Sequence, residues 1–139
     1  MGEVWLIHSQ LVRFENSVNR CMSEPTFLHR FYEKFLESSP EVAAKFEGVN
    51  LERQATMLGA SIRLVLNAAK GLEDGRAHLE EIAKRHSSRG LGIGAHLYAL
   101  WLDALVETAS EADPEWEDDL ADVWRAALQP CIDHMTRYA

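Results

Sequence analysis

Three polar residues carry most of the chemical information in this chain: His86, Tyr32 and Gln54. Each falls inside the apolar stripe of a helical pattern. His86 shares a face with Leu79, Ile82 and Ala83. Tyr32 sits among Leu28, Phe31, Phe35 and Leu36. Gln54 shares an arc with Met57, Leu58, Ser61, Ile62 and Val65. Spacing of three and four residues stacks side chains on one side of a helix, so each polar group points toward the core. An imidazole, a phenol and an amide buried without partners are costly. Three of them facing inward call for a group between the helices that uses all three.

The histidines narrow what that group is. There are six, His8, His29, His78, His86, His96 and His134. No pair has the spacing of a structural zinc site and neither cysteine supports one. A single axial imidazole suits haem iron, because the porphyrin supplies the other four nitrogens. His86 closes a short amphipathic helix just before Arg89-Gly90-Leu91-Gly92-Ile93-Gly94. That stretch reads as a helix stop and corner: no strand precedes it, and its glycines alternate rather than follow a nucleotide-binding pattern. The carbonyl of Ile82 or the hydroxyl of Ser87 is placed to accept the second N–H of the imidazole and fix its tautomer. On the opposite side, Tyr32 and Gln54 would donate to a bound diatomic gas. Each such bond contributes on the order of 1–3 kcal/mol and slows ligand loss.

These residues need helices to position them, and the chain supplies little else. Ser39-Pro40-Glu41 and Asp113-Pro114-Glu115 each read as a capping residue, proline at the first helical position and an acid in the first turn. Asn50 is a further expected cap and Ser23-Glu24-Pro25 a break. Pro130 is interior to the last helix, where a kink is expected. Further stripes run through Leu11, Phe14, Val18 and Met22, through Leu97, Leu100, Trp101, Ala104 and Leu105, and through Val123, Ala127, Cys131 and Met135. Strand-like alternation, repeats and linkers are absent. The expected fold class is all-α, in a single domain over 1–139.

Bulk properties exclude several functions. A net charge of −8 argues against phosphate-backbone binding to nucleic acid and against an anionic membrane surface. No apolar run approaches the roughly 20 residues that span a bilayer. The first residues lack the pattern of a secretory signal. Cys21 and Cys131 have no ligand spacing and read as small core residues in a reducing compartment. The expected location is the cytoplasm.

Taken in order, Phe31-Tyr32-Glu33-Lys34-Phe35, Ser39-Pro40-Glu41 running on to Phe46, Arg53-Gln54-Ala55 with Leu58, and Ile82-Ala83-Lys84-Arg85-His86-Ser87-Ser88 resemble a bacterial three-over-three globin. The pattern is most similar to single-domain haemoglobins and to the globin domain of flavohaemoglobins. The resemblance implies haem b, with His86 as proximal iron ligand and Tyr32, Gln54 and Leu58 on the distal side. Phe46, Ile62 and Leu97 become haem contacts, and Arg85 or Arg89 faces a propionate. A one-residue slip would put Arg53 or Ala55 in place of Gln54; the inward arc favours Gln54.

The same resemblance implies reversible binding of O2, NO and CO, as an O2 carrier or buffer or in NO detoxification. In the latter role nitric oxide would be oxidised to nitrate with electrons from a separate reductase. The alternative is a haem-based gas sensor signalling to a partner in trans. The sequence departs from flavohaemoglobins on the proximal side. His96 falls where their proximal tyrosine would stand and Ala139 where their glutamate would, and no reductase domain is present. His96 itself reads as a boundary histidine.

Overall fold

The computed structural model describes residues 7–69 and 95–136, the last three of these by backbone only. The described residues form six α-helices and no strand, as the periodicity predicts. They are α1 (His8–Met22), α2 (Phe27–Glu37), α3 (Pro40–Lys45), α4 (Leu51–Ala69), α5 (Ala95–Ala112) and α6 (Leu120–Thr136). Helix α2 packs most extensively on α5 and also lies against α4, while α6 packs against α5, α1 and α4.

The local capping chemistry is as expected at two helix starts. Ser39 Oγ accepts from the Glu41 N–H at 3.1 Å, with Pro40 in the first turn of α3. Asn50 Oδ1 accepts from the Arg53 N–H at 3.1 Å and opens α4. Both are short-range bonds to donors that a helix leaves orphaned. Helix α3 stops at Phe46, and Gly48 takes φ +77°, a left-handed conformation that suits glycine.

Asp113 departs from expectation. Helix α6 begins at Leu120, not after Asp113, and residues 113–119 form turns. Asp113 still accepts from the Glu115 N–H at 2.9 Å, but its own N–H belongs to the end of α5, donating to the Ala109 carbonyl at 2.9 Å. Its carboxylate is drawn into the core instead. Ser17 Oγ donates to it at 2.7 Å and Arg20 Nε at 2.6 Å, while Trp124 Nε1 donates to Ser17 Oγ at 3.0 Å. A buried carboxylate with this many donors cannot also turn outward to start a helix.

Among the described residues the apolar stripes pack as read, with one correction at Met57, while the stripe of Leu79, Ile82, Ala83 and His86 lies outside the described residues. Phe14, Val18, Phe31, Phe35, Leu105, Val123 and Ala127 are buried, and so are both cysteines. Burial pushes both thiols up to about 12, which suits packing rather than reactivity. Met57, expected on the inner arc of α4, is 50% exposed. The inner face is carried by Ala55, Leu58, Ile62, Val65 and Leu66, and Met57 lies about 100° around from Leu58. Trp124, which no stripe singled out, is fully buried, edge-on to Phe14 with ring centroids 5.2 Å apart. Pro130 does lie inside α6.

Gly59, within α4, faces Leu28 and Met22. A β-carbon there would meet Leu28 Cδ1 at 3.4 Å and Met22 Cε at 3.7 Å, ordinary contact with flexible side-chain ends. Glycine in a helix interior costs about 0.5–1 kcal/mol relative to alanine. Gly59→Ala is therefore expected to raise the urea midpoint by an amount worth about 0.5–1 kcal/mol at unchanged m-value. A fall would show that these helices need closer approach than the contacts indicate.

Candidate functional site

The site is built on an aromatic wall. Helix α2 places Phe31, Tyr32 and Phe35 on its inner side because they are neighbours at one, three and four residues. Phe31 meets Tyr32 edge-on with centroids 4.9 Å apart. Phe46, at the end of α3, reaches back to Tyr32 at 6.0 Å and to Phe35 at 5.7 Å. From α5, Trp101 closes on Phe31 at 6.1 Å. The Tyr32 ring is thus held on two sides, and only 7% of the residue is exposed.

The wall is completed by α4. Tyr32 Oη donates to the backbone carbonyl of Gln54 at 3.2 Å. One and two turns further along α4 stand Leu58 and Ile62, both buried. Burial pushes the Tyr32 hydroxyl up to about 12, so it keeps its proton at neutral pH and acts as a donor. Gln54 itself is half-buried at the edge of the inner face. Tyr32 and Gln54 are therefore brought together, but through the backbone of Gln54 rather than through its amide. Spacing alone placed the two residues on facing stripes; it carried no information about which atom of Gln54 the phenol would reach.

Helix α5 supplies buried Leu97 and, beside it, Tyr98. Sequence reasoning passed over Tyr98, although Tyr98, Leu102, Leu105 and Ala109 form a stripe at helical spacing and all are buried. The Tyr98 hydroxyl oxygen has no hydrogen-bond partner among the described residues. Burial likewise pushes it up to about 12. A buried phenol lacking a partner is an unmet demand for an acceptor.

His96 is the reverse case. It is exposed, and its Nε2 lies 2.8 Å from Glu41 Oε2. It bridges the first turn of α5 to α3 at the surface, as a boundary histidine, and does not stand in for a buried tyrosine. His86, Arg85 and Arg89 lie outside the described residues, as do Ile82 and Ser87. Among the described residues, no group of three or more His, Cys, Asp or Glu side chains could hold a metal ion, and no helix is long and apolar enough to cross a membrane.

Aromatic and aliphatic side chains from four helices, with one phenol held on the wall and another left without an acceptor, fit a flat and mostly apolar group. The fold and these residues define an all-helical protein with an aromatic-walled core. The family model for globins matches residues 29–135, most of the chain, and the chain belongs to the globin family. A crystal structure from Pseudomonas aeruginosa PAO1, of a protein described as structurally highly homologous to a human haemoglobin, is similar at 32% identity and a TM-score of 0.88. The match covers 93% of this chain and 97% of that one. Comparison with curated proteins finds no match. The protein is a haem-binding globin.

Proposed function

We propose that this globin binds diatomic gases reversibly at a haem b iron ligated by His86, and that it serves as an O2 carrier or buffer. When bound, haem would supply the iron that takes up the gas, with His86 as the residue that would hold it. The chain's own residues do the rest. Phe46, Ile62 and Leu97 would pack on the macrocycle, Leu58 would exclude water beside the gas, and Arg85 or Arg89 would pair with a propionate. Tyr32 is the hydrogen-bond donor of the gas side, with Gln54 at its edge. The observation that carries this reading is Tyr32: a buried, protonated hydroxyl fixed on an apolar wall between α2 and α4.

Absorption spectra of the purified protein, oxidised, reduced, and reduced under CO, test the proposal. The expected result is a haem spectrum at one haem per chain that shifts on reduction and again with CO. A folded chain that stays colourless with added haemin would refute it. The NO-detoxifying branch of the same reading requires electrons from a separate reductase. Nitrate production well above one per haem, with cellular reductases supplied, would assign that branch; a yield that stops at one would remove it.

A further inference from the structure

We infer that the outer face of α3 and α4, around Lys45, Arg53 and Met57, is the landing surface for a small acidic electron-donor protein. This rests on the gas-binding reading above, in its NO-detoxifying branch, and names the kind of reductase that site takes.

The charge of the chain is unevenly placed. Residues 103–133 carry ten of the 22 acidic residues and one base, Arg125. Residues 39–69, which hold α3 and α4, carry three acids and three bases. The second half of α5 and the start of α6 thus form an acidic pole, and the segment that supplies Phe46, Gln54 and Leu58 is neutral. Pairing sharpens the contrast. Arg13, Arg20, Arg30, Lys34 and Arg125 each meet a carboxylate at 2.6–2.9 Å. Lys45 and Arg53 are exposed and have no such partner among the described residues.

An apolar centre accompanies these cations. Three large apolar side chains are exposed among the described residues, and Met57 alone of them lies on an element that lines the site; Ile7 and Val12 belong to the start of α1. Met57 follows Arg53 by four residues, so the two stand side by side on α4, and it directly precedes Leu58. A flexible thioether adapts to varied surfaces. Redox encounters are small, below about 1,200 Å² in total, which one apolar residue rimmed by cations suits.

The charge pattern selects the partner. Formation of nitrate takes up one electron, NO + O2 + e− → NO3−, and the partner's cofactor supplies it, being oxidised by one electron. An acidic donor is repelled by the α5–α6 pole and meets unpaired cations at α3 and α4, so it arrives facing the site. A basic donor would be held at the other pole, away from the gas.

The test uses haem-loaded protein and a reduced acidic FMN protein of the flavodoxin class. It measures stopped-flow haem reduction and, separately, carbodiimide cross-links between partner carboxylates and lysines, mapped by mass spectrometry. The reduction rate is expected to fall about fivefold between roughly 20 and 300 mM NaCl, with cross-links at Lys45. Lys45→Glu with Arg53→Glu should slow reduction about tenfold at low salt. Arg13→Glu with Arg125→Glu, the same charge change at the acidic pole, should slow it less than about twofold. Met57→Ser should slow it about threefold at every salt concentration. A rate that does not fall with salt, equal losses in the two double variants, or cross-links that spare Lys45 would overturn the inference. A folded chain that takes up no haem would instead refute the gas-binding reading, and the cross-link map of that chain would still report on the surface by itself.

Discussion

Replacing His86 with Ala is expected to abolish stable haem retention. The porphyrin nitrogens hold the iron, but the protein's bond to that iron would run through one imidazole. Changes to groups that merely orient a metal ligand already cost about 10–100-fold in metal affinity. Loss of the ligand itself should raise the haem dissociation rate by more than about 100-fold. The measurement is transfer of haem to an excess of an acceptor protein, followed by absorbance, with circular dichroism on the same samples. His86→Gly with imidazole in the buffer should recover much of the wild-type spectrum, because the small molecule can occupy the vacated space. A His86→Ala protein that keeps haem at the wild-type rate, or no recovery with imidazole while helix content is intact, would remove His86 from the role proposed.

The second large effect concerns stability. Asp113 is fully buried at its side chain and accepts from Ser17, from Arg20 twice, at 2.6 and 3.0 Å, and from the Glu115 N–H. Deleting it leaves the Arg20 guanidinium and the Ser17 hydroxyl without their acceptor. Breaking a buried pair in this way costs about 3–5 kcal/mol. Arg20 keeps 25% of its side chain exposed, so water recovers part of the loss. Asp113→Ala should therefore fall at the low end, about 3 kcal/mol, in urea or thermal unfolding. A change within about 0.5 kcal/mol, the range of ordinary surface substitutions, would show the network contributes nothing net.

The same carboxylate gives a pH dependence. Burial on its own would raise its pKa, but hydrogen bonds from Arg20, Ser17 and the Glu115 N–H outweigh burial and hold it below the usual carboxylate range. A group depressed in the folded state contributes stability that is fully present above its unfolded pKa, about 3.9. That contribution is lost as pH falls through the lower folded value. Wild type and Asp113→Asn should therefore differ by a constant amount from neutral pH down to about pH 5 and converge below about pH 4. A gap that already closes between pH 7 and 5 would mean the carboxyl titrates as a raised group.

What the chain decides by itself is what can be read within one or two helical turns. Ser39 and Asn50 could be assigned as caps because their acceptors serve N–H groups two and three residues away. The stripes of Phe14 and Val18, or of Leu58 and Ile62, were legible because burial repeats with the helix. Asp113 was misread as a cap because its decisive partners, Ser17 and Arg20, lie 96 and 93 residues earlier. Met57 fits the apolar arc by type, yet the packing of α4 leaves it outside, since a stripe's width depends on what covers it.

At the candidate site the division is the same. Residue types and spacing put Tyr32 and Gln54 on facing inner stripes, and placed His96 no better than at a boundary. Only the approach of α2 to α4 chose the Gln54 carbonyl over its amide, and only the approach of α5 to α3 gave His96 to Glu41. Helical periodicity says which way a side chain points. Which atom it meets is settled by how two helices cross, and that follows from the packing of the whole core.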